Sequence, residues 1–314
     1  MLKLTRVIAS SVLLVAPLAG ADPILITGGD LIGDGRAEFI GDAFINGSLT
    51  GVSTGLIDGS LNVLGGSATF GTFGTDLEGS ITVRDDLRIP FSLNDLNGDL
   101  TAGGDIVVDA PVNGSIRSFS SEPLPLLPPI NSFVGRVGGG SDVFVERFDE
   151  VNLAPGQYGT LTLEGSGTVG LTAGTYTFDA IDSNFNLARF DFDTSEGAVR
   201  VVVADDLVFD AIQEVNGDAF FAGNVPLLEA AELVTLESLG NLTLGSDFTG
   251  RVIVGGDLQL DTFVDVLGST QVQGDVLLGG SNTFRGVAIP EPASAALLLT
   301  AGATLLRRRK TTAT

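Results

Sequence analysis

The feature that most narrows the fold is a short unit that recurs along the chain: a glycine, a small polar residue, then a stretch alternating apolar and polar. It reads Gly59-Ser60-Leu61-Asn62-Val63, Gly79-Ser80-Ile81-Thr82-Val83 and Gly98-Asp99-Leu100-Thr101 in one group. Further on it reads Gly240-Asn241-Leu242-Thr243-Leu244, Gly256-Asp257-Leu258-Gln259-Leu260 and Gly274-Asp275-Val276-Leu277-Leu278. The starts lie 20 and 19 residues apart in the first group, 16 and 18 in the second. Alternation places Leu61 and Val63 on one face of a strand and Asn62 on the other. A strand of this length buries too little to stand alone, so it must lie between near-copies of itself. The glycines, 43 in all, permit the positive-φ corners that such coils need. The chain therefore reads as all-β, a parallel β-helix or solenoid, expected right-handed. About 270 residues at ~18 per coil give roughly 12–15 coils and a rod of order 60–70 Å. A β-sandwich is the alternative, because its strands are also evenly spaced.

Two stretches vary the pattern. The frame Leu-x-x-Gly-x-Tyr occurs at Leu153–Tyr158 and again 18 residues on at Leu171–Tyr176. It resembles segments common in Gly-rich surface β-solenoids, a likeness that implies no activity. Ser118 to Gly140 contains Pro123, Pro125, Pro128 and Pro129, then Gly138-Gly139-Gly140. Proline donates nothing to a strand ladder, so this is a linker or protruding loop dividing the body into residues 22–117 and 141–286. From Pro226 to Ser238 a short helix opening on Pro226 and a strand through Leu233-Val234-Thr235-Leu236 both fit.

The residues that are missing exclude much chemistry. There is no histidine and no cysteine. Ser-His-Asp and Cys-His catalysis, His-ligated zinc and facial-triad iron sites are thereby removed, and cross-links do not supply stability. Between the basic ends the chain holds 10 basic against 39 acidic residues. Such a surface repels phosphate backbones, so nucleic acid is not an expected partner.

The two ends read as addresses. Lys3 and Arg6, a run from Val7 to Ala16 that is apolar apart from Ser10 and Ser11, and Ala19-Gly20-Ala21 form the three parts of a secretory signal peptide over residues 1–21. Cleavage by signal peptidase, directed by Ala19 and Ala21, is expected to start the mature chain near Asp22. The other end, residues 287–314, has Pro290-Glu291-Pro292, then 14 uncharged residues from Ala293 to Leu306, then Arg307, Arg308, Arg309 and Lys310. The basic cluster after an apolar run is a positive-inside stop signal. The run is short of the ~20 residues that span a bilayer comfortably, so a C-terminal helix over 293–306 would anchor only transiently.

This order of Pro-Glu-Pro, apolar helix and Arg cluster resembles the PEP-CTERM sorting signal. The resemblance implies recognition by an exosortase, an integral-membrane processing enzyme, and removal of the tail near Pro290–Pro292. It also implies delivery to the outer surface or polysaccharide matrix of a Gram-negative bacterium. The same kind of tail has been labelled an ice-binding protein C-terminal domain, a label that concerns the tail and not the body.

Several motifs look chemical. Gly165-Ser166-Gly167-Thr168-Val169-Gly170 matches the dinucleotide fingerprint, but a turn and strand follow where a helix is required. Gly51-Val52-Ser53-Thr54-Gly55 matches a nucleophile elbow, but Ser53 has no histidine to activate it. Arg189-Phe190-Asp191-Phe192-Asp193 alternates strictly, with Phe190 and Phe192 inward. Asp191 and Asp193, two apart on a strand, have a spacing that suits an inverting glycosidase or a Ca²⁺-assisted lyase; the plainer reading is a solvated strand face. The turn acids Asp205, Asp206, Asp257 and Asp275 are candidates for weak Ca²⁺ binding, and no other cofactor is expected. Carbohydrate surfaces commonly present Trp and Tyr, whereas this chain has no Trp, 2 Tyr and 19 Phe. Thr160/Thr162 and Thr175/Thr177 are isolated pairs, without the regular ladder suited to ice. The expected function is a non-enzymatic, exported structural or adhesive protein of the surface or matrix, with extracellular polysaccharide as a candidate partner. The alternatives are a β-helical polysaccharide-acting enzyme and a module that binds glycan, Ca²⁺ or ice.

Overall fold

The computed structural model describes residues 22–71, 76–90, 96–130, 139–183, 187–219 and 232–286. Those residues form a parallel β-solenoid of about twelve turns. Each regular coil visits three faces in order. In one coil these are Leu25–Thr27 on face A, Leu31–Gly33 on face B and Arg36–Ile40 on face C. Face A belongs to a 13-stranded sheet and face B to a 9-stranded one, while face C is divided between a 6-stranded and a 5-stranded sheet. Every strand pairing is parallel except Glu214–Ala219 and Val215–Asp218, which rules out the sandwich alternative. The expected signal-peptide and C-terminal helices, with Ala19, Ala21, Pro290–Pro292 and Arg307–Lys310, lie outside the described residues. Among the described residues no helix is long and apolar enough to cross a membrane.

The coils do not follow the chain in order. The described body starts in the middle of the rod: Leu25–Thr27 lies between Ala43–Ile45 and Thr270–Val272, so its first strand pairs with one near its end. The same junction is made on the other faces, with Leu31 beside Val276 and Phe39 beside Phe284. The two phenyl rings stack at 5.8 Å. From this seam, residues 24–117 build coils in one direction, ending at Ile116–Arg117, and residues 141–285 fill the other half. The chain from Arg117 to Val143 must therefore return along the full rod, roughly 58 Å for a 13-strand sheet at about 4.8 Å per strand. Its 25 intervening residues reach up to about 80 Å when extended. The Pro-rich stretch thus separates the two parts in sequence, while in space they make one stack. Its start lines a cleft on face A, where Ser120–Pro125 meets Thr82 and Thr101. The middle of face A is covered: Ile26, Asn62, Val202, Glu237, Ile253 and Gln271 occupy outward positions and are all buried, while Thr82, Thr101 and Thr177 toward the ends are half-buried. Glu237 is compensated by Arg200, whose Nε donates to its carboxylate at 3.0 Å.

The two groups of sequence units, alike in pattern, occupy different faces. Leu61, Ile81 and Leu100 are partners on face A, whereas Leu242, Leu258 and Val276 are partners on face B. Each unit is a corner glycine followed by an in-out-in strand, and a triangular coil has more than one such corner. Positive φ explains the glycine at Gly41 (129°) and Gly59 (130°). At Gly79 and Gly98 the reason is close stacking instead: an added Cβ would lie 1.8 Å and 1.9 Å from the carbonyl oxygen of the glycine one coil below.

The Leu-x-x-Gly-x-Tyr frames keep their 18-residue register on face C, where Leu153 partners Leu171. On face A they slip by two, so that Gly156 partners Tyr176 and Tyr158 partners Phe178. What repeats is a corner. Each Tyr hydroxyl donates to the carbonyl four residues earlier, Tyr158 to Ala154 and Tyr176 to Thr172. Gly156–Leu163 and Gly174–Ser183 are long enough to turn the next corner and continue along face B, where Ser183 Oγ bonds the Val208 carbonyl at 3.3 Å. Val234–Ser238 is a strand, as one of the two readings has it, while Pro226, where the helix would open, lies outside the described residues.

Candidate binding face

Face B is the long face whose outward rank is open. Its strands are short and share one pattern, inward-outward-inward, as in Leu87–Ile89, Leu242–Leu244 and Leu258–Leu260. The outer Leu and Ile side chains fill the core, leaving a single outward residue per coil. Strand register puts these residues in one file: Val107, Arg88, Thr69, Thr50, Ile32, Leu277, Gln259, Thr243 and Val208. At about 4.8 Å per strand the file runs roughly 38 Å. It crosses the seam between Ile32 and Leu277 without a break in register. Of these nine only Arg88 carries charge, and four are exposed Val, Ile or Leu; beyond Val208 the strands that turn onto face B carry the rank on through Asp182, Thr162 and Phe144, with Asp182 a second charge.

A ladder of side-chain oxygens forms the corner between faces A and B. Asp206 accepts from the amide of Asn241 at 2.7 Å, Asn241 from that of Asp257 at 2.8 Å, and Asp257 from that of Asp275 at 2.9 Å. Across the seam, Asp275 accepts from the Asp30 amide and Asp30 from the Ser48 amide, both at 2.7 Å. Each coil's corner amide is thus satisfied by the coil before it, which holds the corners in line and the face straight. Asp205 accepts from the Asp206 amide at 2.9 Å. The turn acids therefore serve the backbone, and among the described residues no three carboxylates converge on a metal position.

Asp191 lies on the other long surface, face C, with Gly170 and Glu214 as its strand neighbours. Burial, then the charge of Glu214, pushes its carboxyl above the ordinary range, and its Oδ1 is buried without a partner. Asp193 sits past the strand end and caps the Ser195 amide at 3.0 Å; its bonds to Ser195 hold its carboxyl below the ordinary range. Arg189 pairs with Glu214 at 2.5 Å. The opposed shifts are the kind an acid–base pair uses, but Asp193 is committed to its turn. Gly165–Gly170 is turn and strand, with no helix to receive a phosphate, and Ser53 is buried in a strand.

Sequence reasoning singled out neither the face-B file nor its continuity across the seam. The signal present was the middle residue of each Leu-x-apolar triplet after a corner, but assembling the file requires knowing which coils are neighbours. No family model matches the chain, and no curated protein matches it. Among solved structures it is similar to an ice binding protein from an Antarctic bacterium, Flavobacteriaceae, at 14% identity, covering 86% of this chain and 82% of that one with a TM-score of 0.31. It is also similar to an ice binding protein from an Antarctic biological consortium, at 12% identity, covering 82% and 86% with a TM-score of 0.28. Likeness at this level assigns nothing to the chain.

Proposed function

We propose that this chain is an exported, non-enzymatic surface or matrix protein that adheres through face B to an extended, repetitive surface. The carrying observation is the single file of nine in-register outward residues, nearly uncharged and flanked by a backbone-bonded ladder. A straight rank with one contact per coil suits a ligand that repeats, because many weak contacts then add. The signal peptide and the PEP-CTERM-like tail account for delivery, through signal peptidase and an exosortase-type enzyme, to the cell surface or matrix. Matrix polysaccharide is the first ligand class, and the acidity of the body favours neutral chains over anionic ones. The test is retention of purified protein on insoluble neutral polysaccharide, with Thr50→Lys/Thr69→Lys beside it. Retention lost in the double variant supports the reading; product release from the polysaccharide, or equal retention of the variant, overturns it.

A second reading, ice, is favoured by one observation. Both tyrosines bond their own corners, Tyr176 inside the core, and no Trp exists, so face B offers Thr and aliphatic side chains in place of sugar-stacking rings. Faceted ice growth and freezing-point hysteresis with the native protein, lost in the same double variant, support it; growth of unshaped ice discards it.

A further inference from the structure

Both ends of the rod leave the apolar core open. In the last coil at one end, Ile106, Val108 and Ile116 stand in register with Leu87, Ile89 and Leu100, which are buried one coil earlier. Ile116 is 52% exposed. At the other end Val143, Val151 and Leu153 stand in register with buried Leu161, Val169 and Leu171. Every half-buried apolar residue packed on the core belongs to one of these two terminal regions. Each end also holds an exposed phenylalanine in the left-handed backbone region, Phe119 (φ 53°) and Phe148 (φ 69°), a conformation that costs a non-glycine residue energy. A third, Phe263, lies mid-rod.

We propose that copies of this chain stack head to tail through these ends, the strands of one rod continuing into the next. Three observations say that the occupant is a second copy. The first is phase: one end finishes on face A with Ile116–Arg117, and the opposite end begins with Val143–Val145, which stacks on Leu161–Leu163, the part of that long strand that has turned onto face B, the next position along the same path. The second is direction, since coils advance in one sense from Val143 through the seam to Arg117. The third is precedent within the molecule. At the seam, Asn282–Arg285 on face C is followed by Leu25–Thr27 on face A, and the last described coil meets the first in parallel register on three faces. The open ends present the same kind of surface to water. Unpaired strand edges with apolar cores are templates for pairing, and a head-to-tail contact that does not close gives a filament. In the stack Val143–Val145 lies on Ile106–Val108, Phe144 comes beside Val107, and the face-B rank continues from copy to copy. The stacking is separable from whatever face B binds.

The test uses full-length protein in sedimentation velocity across a wide concentration range. Wild type is expected to form a concentration-dependent series of elongated oligomers. Ile116→Lys and Val151→Lys each place a charge in one open end, at an exposed and a half-buried position, and each is expected to be monomeric alone. Their equimolar mixture keeps one live junction and is expected to stop at dimers. Monomeric wild type, a monomeric mixture, or self-association of either variant alone overturns the proposal; association through the tail would give the last result. A second measurement leaves the core untouched. Because the chain has no cysteine, Val107→Cys and Phe144→Cys copies are expected to form a disulfide between kinds and none within a kind, and a disulfide within either kind overturns it.

Discussion

Gln213 offers the sharpest energetic test, because it stands where face C is divided. The 5-stranded sheet ends beside Ile212–Val215 and the 6-stranded sheet begins with Phe248–Thr249. No strand pairing joins these two, but the Gln213 amide does: its Nε2 donates to the Thr249 carbonyl at 2.7 Å and its Oε1 accepts from the Thr249 amide at 2.6 Å. A side chain thus reproduces both bonds of a strand pair, inside the core, with Gln213 1% exposed and Thr249 fully buried. Gln213→Leu keeps the volume and removes both partners. Each buried backbone group left unpaired costs about 1–3 kcal/mol, so the variant, which leaves two, should lose about 2–6 kcal/mol. Urea unfolding followed by circular dichroism reads the loss, with Gln259→Leu on exposed face B as a control expected to change by less than about 0.5 kcal/mol. Faster hydrogen exchange at the Thr249 amide should accompany it. A loss below about 1 kcal/mol with unchanged exchange at Thr249 would refute the claim that this amide joins the two sheets.

Three further outcomes follow from the same geometry. Asp275→Ala removes the acceptor for the Asp30 amide across the seam and should cost about 1–2 kcal/mol in urea unfolding, while Asp275→Asn should cost little, since Asn241 already fills the equivalent place in the ladder. Gly98→Ala drives a methyl to 1.9 Å from the Gly79 carbonyl oxygen and should cost about 1–3 kcal/mol by forced displacement of a coil; a neutral effect would show that the coils are looser than drawn. Asp191 is raised by burial and by Glu214, so its protonated form favours the folded state, and that contribution, present at acid pH, is lost as pH rises through the folded-state value. Asp191→Asn should therefore raise the melting temperature at neutral pH, with the gain gone at about pH 3, below the ordinary carboxylate value; a gain that persists in acid would contradict the assignment.

The solenoid was legible because its evidence is local. Glycine, a polar residue and an alternating triplet specify corner and strand at Gly59–Val63 and at Gly256–Leu260 alike, and their near-constant spacing specifies stacking. The division into faces was not legible, since the same corner chemistry serves more than one vertex of the coil. Nor was the seam: Leu25 and Thr270, or Phe39 and Phe284, meet only because the Pro-rich segment carries the chain back along the rod, and nothing within either segment marks its partner. The face-B file inherits that difficulty, because Ile32 and Leu277 are neighbours solely through the seam. Gln213 shows the converse, a polar residue at an inward position whose reason appears only when the gap it fills is seen. Alternation through Phe190 and Phe192 is enough to turn Asp191 outward, but that Asp191 is half-buried beside Glu214 while Asp193 caps the Ser195 turn depends on neighbours the local pattern does not name.

The arrangement rests on residues 25–40 lying against residues 270–285 in mid-rod, and a cysteine pair measures that directly. Ile32→Cys/Leu277→Cys joins partners in register on face B, exposed and in a chain without other cysteines, at a separation within the range disulfides accept. Oxidation of the monomer should close this bond as readily as the neighbouring pair Ile32→Cys/Thr50→Cys, also in register, while Ile32→Cys/Val208→Cys, roughly 19 Å away along the file, should stay reduced. Intramolecular closure of the first pair, seen by mass and by gel mobility, is the predicted result. Closure of the Ile32/Thr50 pair with none at Ile32/Leu277 would contradict the continuous rod.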